Sequence, residues 1–360
     1  MIKNECLNKK YSLTAIDLFC GIGGMTHGLI KAGIKVIAGI DTDITCKYAY
    51  ERNNKTKFIN RDIRDITGAE LTEMYPQKEC YRILVGCAPC QPFSKHTQKN
   101  SKRTKDEKWN LLNSFARLIR ETEPDIISME NVPQIEKQKI FTTFIRNLKK
   151  HNYHISWQFV FCPDYGIPQT RTRLVLLASK FGKIELLNKT TVKAKYKTVK
   201  ETIGELEQIC AGQTSRSDSL HRACHFTDIN MKRIKQSKPG GSWRDWDESL
   251  LLQCHKKETG KTYPSVYGRM RWNEPAPTIT TQFYNYGTGR FGHPVQDRAL
   301  SLREGALLQT FPIDYKFVDQ SNGAISIKKL GIHIGNAVPV RLAEIIGKSI
   351  VKHLETNHAK

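Results

Sequence analysis

The feature that most limits how this chain can fold is an alternation, over residues 13–179, of short β-rich runs with helical stretches. LTAIDLF (13–19), VIAGID (36–41), KFIN (57–60), RILVG (82–86), DIISME (125–130) and RLVLLAS (173–179) read as strands. Between them lie a Gly-rich turn with a helix to about Ala32, a second helix through Arg52, and an amphipathic helix marked by Leu111, Leu112, Phe115, Leu118 and Ile119. Apolar strands alternating with helices are the pattern of a mainly parallel sheet covered on both faces, so the expected class is a doubly wound α/β fold.

After Ser179 the alternation breaks into KTTVKAKYK and then polar segments dense in Gly, Ser and Arg up to about Asp297. A last helical pattern, roughly Val338 to Leu354, is expected to rejoin the first domain. The expected division is 1–181, a smaller and less regular domain at 182–297, and a return at 298–360. Two domains also suit 360 residues, because single cores seldom grow beyond roughly 250–300.

A formal net charge of +22 points to a polyanionic partner. Positive charge is dense at 91–108, where Lys95, Lys99, Lys102, Arg103, Lys105 and Lys108 face only Asp106 and Glu107. No apolar run approaches the roughly 20 residues of a membrane helix, and the N-terminal stretch lacks the apolar core of a signal peptide. Ten scattered cysteines predict free thiols in a reducing cytoplasm.

Four motifs carry chemistry. IDLFCGIGG (16–24) places glycines at 21, 23 and 24 between strand and helix, where a nucleotide-like ligand can approach a helix N-terminus. Asp41, 18 residues past Gly23, stands where an acid can take ribose hydroxyls. By itself the motif fits a nicotinamide site, an S-adenosylmethionine site or a structural turn. GCAPCQPFS (86–94) follows a buried strand. Zinc would need a second pair of ligands to join Cys87 and Cys90, a redox dithiol leaves the basic stretch unexplained, and a thiolate nucleophile at Cys90 accounts for both. MENVP (129–133) ends a strand with Glu130, on the sheet edge that Cys90 and the glycine turn should share. In QTRTR (169–173), strand alternation would put Gln169, Arg171 and Arg173 on one face.

Taken in order, DLFCGIGG, APCQPFS, ENV, QTRTR, RALSLREGALLQTFP (298–312) and GNAVPV (335–340) resemble the conserved blocks of the DNA cytosine-5 methyltransferases. GRMRWNEPAPTITTQ (268–282) is also similar to family members. The resemblance implies an S-adenosylmethionine-dependent methyltransferase fold with a target-recognition domain at 182–297. It implies that Phe19, Gly21, Gly23, Asp41, Thr42, Asp62, Ile63, Asn336 and Ala337 surround S-adenosylmethionine. It makes Cys90 the nucleophile that attacks C6 of cytosine and Glu130 the group that holds N3, with Arg173, supported by Arg171, fixing base and glutamate. Ser94 would touch the phosphate beside the target, with Lys95 and Arg103 as further DNA contacts, and no metal is called for. The partner expected is double-stranded DNA, met by a monomer in the cytoplasm of a bacterial or phage-infected cell. A cognate restriction endonuclease would share the site without touching the enzyme.

A related branch that methylates transfer RNA carries a Cys-Phe-Thr tripeptide. Here Cys224, His225, Phe226 and Thr227 interpose a histidine, which favours DNA. A non-catalytic nucleic-acid binder is the third reading, disfavoured by the intact Cys90, Glu130 and Arg173. Arg216, Arg222 and the Arg290 region are candidates for base contact in an unread target sequence.

Overall fold

All six runs read as strands pair into one sheet. The computed structural model describes residues 12–77, 79–89, 110–319 and 326–358. Its strands are β1 (Ser12–Leu18), β2 (Lys35–Asp41), β3 (Lys57–Asn60), β4 (Cys80–Gly86), β5 (Ile126–Asn131), β6 (His154–Phe161) and β7 (Thr172–Ser179), in the order β3-β2-β1-β4-β5-β7-β6. Pairing is parallel from β3 through β5, and β7 runs antiparallel to both β5 and β6. The mainly parallel α/β expectation therefore holds. The strand absent from the sequence reading is β6, an edge strand whose polar residues and half-exposed Trp157 and Phe159 break the apolar run that marks a central strand.

The chain divides into two compact units. The first comprises 1–161, 172–189 and 340–360. It holds the sheet with α1 (Gly24–Lys31), α2 (Lys47–Asn54), α3 (Gly68–Met74), α4 (Asn110–Thr122), α5 (Lys139–Lys150) and the terminal α10 (Val340–His358). One core joins Ile16, Leu18, Leu84, Ile127, Met129, Leu174 and Leu176 of the sheet to Leu71, Phe115, Leu118, Phe144 and Leu148 of the helices. Each such buried side chain contributes roughly 1.5–3 kcal/mol. The amphipathic spacing seen at 111–119 supplies the inward face of α4. Helix α10 packs on α1, so the end of the chain completes the layer begun by its first helix.

The second unit comprises 162–171 and 190–339, with α6 (Val199–Ile203), α7 (Asp228–Gln236), α8 (Leu302–Leu308) and α9 (Ile327–Asn336) among single-turn helices and isolated bridges. Residues 298–339 thus cluster with this unit, and the chain rejoins the first at Val340; the sequence pattern suggested the crossing at 298. Its core gathers Phe226, Ile234, Trp243, Trp246, Leu250 and Tyr286. With little regular sheet to satisfy its backbone, the unit uses buried side chains instead. The Arg269 guanidinium donates to the carbonyls of Ile234, Ser237, His293 and Gln296 and pairs with Asp297.

Candidate active site

The strand order reverses at β1, which lies between β2 and β4, and in open α/β sheets the crevice at such a point is where ligands bind. Two sequence motifs leave the sheet there. Leu18, the last residue of β1, lies beside Gly86, the last of β4, and the Cys87 N–H donates to the Leu18 carbonyl at 3.4 Å.

The turn after β1 is held in a conformation that few residues accept. Phe19, Gly21 and Gly23 all have left-handed backbones, with φ of 61°, 49° and 88°. The Gly21 N–H donates to Asp41 Oδ2 at 2.8 Å and the Asp43 N–H to Asp41 Oδ1 at 2.9 Å, so one strand-end carboxylate braces two turns. Around the position that a Gly21 side chain would take, the space is open to 4 Å.

Thr42 is exposed beside Asp41, and Ile63 is buried in the first unit's core. Asp62 caps the single turn Ile63–Asp65, accepting from Arg64 N at 2.9 Å and pairing with its guanidinium at 2.8 Å. The Arg64 hydrogen bond lowers the Asp62 carboxyl below its ordinary range.

Beneath the turn, Asp17 is fully buried. Its Oδ2 accepts from the Thr26 hydroxyl at 2.7 Å, Thr26 meets the Tyr50 hydroxyl at 3.0 Å, and Oδ1 accepts no hydrogen bond among the described residues. Burial pushes the carboxyl up to about 7 against the opposing Thr26 hydrogen bond. The neighbouring Cys20 thiol is pushed well above its ordinary value by burial, then by Asp17 and Asp41, which makes it a poor nucleophile.

Cys90, Ser94, Lys95 and Arg103 lie outside the described residues. The approach to Cys90 is described as far as Pro89: Cys87 is half-buried, and the Ala88 carbonyl accepts from Asn131 Nδ2 at 3.1 Å. Asn131, the middle residue of ENV, therefore ties the segment after β4 to the end of β5. Its place beside Glu130 in the same motif was the only signal in the sequence for this contact.

Glu130 is buried on β5, paired with Val175 of β7, and its carboxylate meets Arg173 Nε at 2.9 Å. The contact is coulombic: Oε1 accepts no aligned hydrogen bond among the described residues. Arg173 also donates from Nη1 to the Thr172 carbonyl at 2.8 Å. The expectation that Gln169, Arg171 and Arg173 share a strand face is corrected, because β7 begins only at Thr172. Gln169 and Arg171 belong to the second unit, where Arg171 Nη1 donates to the Ile279 carbonyl at 3.1 Å. Asn336, the exposed last residue of α9, and half-buried Ala337 lie in that unit too.

A family model described as C-5 cytosine-specific DNA methylase matches residues 13–352. The chain belongs to this family. It is 53% identical to the type II methylase M.HgiDII of Herpetosiphon aurantiacus, over 96% of this chain and 97% of that one. It is 27% identical to the type II methyltransferase M.Sau96I of Staphylococcus aureus, over 98% of this chain and 78% of the relative. The fold matches a DNA modification methyltransferase described as putative and encoded within an Escherichia coli prophage, with a TM-score of 0.72 at 22% identity, covering 95% and 99% of the two chains. Membership makes the protein a DNA cytosine-5 methyltransferase, and it implies a methyl donor of the S-adenosylmethionine type.

Proposed function

We propose that this methyltransferase is the modification enzyme of a type II restriction–modification system, methylating C5 of cytosine within one short sequence of double-stranded DNA. The observation that carries the catalytic reading is the buried Glu130–Arg173 pair at the sheet edge where the nucleophile segment, tied down through Asn131, also emerges. DNA is favoured over transfer RNA because the relative with 53% identity is a type II methylase.

C5 of cytosine is too weak a nucleophile to accept a methyl group unaided. Addition of the Cys90 thiolate at C6 converts the ring to an enamine whose C5 can attack. Glu130, held by Arg173, keeps a proton at N3 and so neutralises charge that develops in the ring. Loss of the C5 proton and elimination of Cys90 restore the aromatic base and the enzyme. When bound, S-adenosylmethionine would supply an electrophilic methyl group, the broken S–C bond leaving its electron pair on the sulfur of S-adenosylhomocysteine. What supports that donor is the open space at Gly21 and the Asp41 carboxylate that braces the same turn. Phe19, Gly21, Gly23, Asp41, Thr42, Asp62 and Ile63 hold the donor, with Asn336 and Ala337 as further contacts. Base chemistry requires the cytosine to leave the stack, at a cost of a few kcal/mol. Ser94, Lys95 and Arg103 bind the strand, and residues 182–297 select the sequence. The enzyme acts as a monomer in the cytoplasm.

Methylation mapping tests this reading: the protein and its Cys90→Ala variant are expressed in a host without cytosine methylation. The expected result is 5-methylcytosine at one recurring sequence for the wild type and none for the variant. Unmodified DNA beside a soluble protein that binds donor would overturn it.

A further inference from the structure

Gln169 and Gln309 are both fully buried in the second unit and form one relay. The Gln309 Nε2 group faces three carbonyls, those of Ile334 at 2.8 Å, Ala337 at 3.2 Å and Gly335 at 3.4 Å. Only the amine end of an amide can meet carbonyls, so the side chain has one permissible orientation. Its Oε1 then points the other way and accepts from Gln169 Nε2 at 2.8 Å. Gln169 gives its second hydrogen to the Leu308 carbonyl at 2.8 Å, while its own Oε1 accepts the Ile279 N–H at 3.2 Å. Both amides are thereby committed at both ends.

The recipients define the relay's task. Ile334 and Gly335 stand in the last turn of α9, whose carbonyls have no donors within the helix, and Ala337 follows just beyond. The turn is also pressed against residue 280: a Cβ on Gly335 would lie 2.3 Å from the Thr280 carbonyl oxygen, so only glycine fits. The carbonyls are thus tied inward while the Asn336 side chain stays exposed.

We infer that Gln309, held in orientation by Gln169, is a positioning residue for the methyl-donor turn Gly335–Ala337. This rests on the reading of Asn336 and Ala337 as donor contacts. Gln309→Glu keeps an acceptor for Gln169 but sets a carboxylate against three carbonyls. Gln309→Leu removes the donors with little change of volume. Gln169→Leu removes the donor to Gln309 Oε1 and leaves that buried oxygen without its bond.

The test is calorimetric affinity for S-adenosylhomocysteine without DNA, alongside donor KM, kcat, DNA affinity and melting temperature. The expected result is donor affinity and KM worse by roughly tenfold or more in both Gln309 variants, about one well-made hydrogen bond, with kcat at saturating donor and DNA affinity unchanged. Gln169→Leu should show a smaller loss, and adding it to Gln309→Leu should cost nothing further. Donor affinity within twofold of wild type in a folded Gln309 variant overturns the inference. So does a parallel fall of donor affinity, DNA affinity and kcat. Should the Gln309 variants not fold, Gln169→Leu decides by the same criteria. Asn336→Ala separates the two levels: if it leaves donor binding intact, the donor-turn reading itself fails. If it weakens binding while the glutamine variants do not, only the relay fails.

Discussion

Glu130 and Arg173 have left most of the solvent together, and each is the other's counter-charge. Removing one partner of a buried ion pair leaves an uncompensated charge, at about 3–5 kcal/mol, whereas removing both can be nearly neutral. Arg173→Ala should therefore unfold at lower denaturant than Arg173→Ala/Glu130→Gln, although both should lose methyl transfer. Chemical denaturation of the single and double variants measures this, and additive losses would deny the coupling. Glu130→Gln alone should lower kcat in single-turnover assays by about a hundredfold or more, in the range seen when one stabilising group is lost from a transition state. Asp17 makes a different prediction. Its folded pKa, near 7, lies above the ordinary 3.8, so the folded state holds a proton that the unfolded state has released. Stability contributed by that proton is present at low pH and should decline as pH rises from about 4 to 7, by a few kcal/mol. Asp17→Asn should flatten this window in urea titrations across pH, and an unchanged slope would show that Asp17 does not titrate there.

At the scale of elements, α8 shows how the second unit holds together without a large sheet. Ser301 caps it, with Glu304 closing a capping box, and the same glutamate grips fully buried Arg298 through two bonds of 2.7 Å. Despite the cost of burial, the Arg298 guanidinium brings the Glu304 carboxyl down to about 2. His293, 3.6 Å from that carboxylate, is pushed down to about 4 by burial and stays neutral near pH 7. Glu304→Gln should destabilise the protein by about 3–5 kcal/mol at pH 7. Because the folded carboxyl is depressed, this stabilisation is present above the ordinary carboxylate pKa and should vanish as pH falls from about 4.5 to 2. Thermal melts of wild type and variant that fail to converge on acidification would contradict this account.

At the scale of the molecule, the first unit is assembled from three separated stretches, the last of which is α10. Leu342, Ala343, Ile345, Ile346, Ile350 and Leu354 of that helix are buried. At roughly 1.5–3 kcal/mol for each large side chain, their burial rivals the 5–15 kcal/mol net stability of an ordinary domain. Truncation after Pro339 should therefore abolish the cooperative unfolding transition, as followed by calorimetry or circular dichroism; a truncated chain with a normal melt would refute this. Net charge acts on the same scale. DNA affinity should fall by about a thousandfold or more between 50 and 200 mM salt if six or more phosphates are neutralised.

The sequence by itself determined the sheet's central strands, because runs such as LTAIDLF and RLVLLAS carry their burial in their composition. It also determined the family, because six short blocks keep their order. The second unit was not legible in this way: Arg269, Arg298, Gln169 and Gln309 stood in the sequence only as members of motif blocks until the fold buried them beside backbone carbonyls. The edge strand β6 escaped notice for the converse reason, since half of it stays in water. Only the tertiary structure separated Arg171 from Arg173, sending one to the Ile279 carbonyl and the other to Glu130. Local pattern records how a residue meets its own element, whereas partners 40 to 170 positions away, such as Ala88 for Asn131 or Ala337 for Gln169 through Gln309, exist only once the chain has closed on itself.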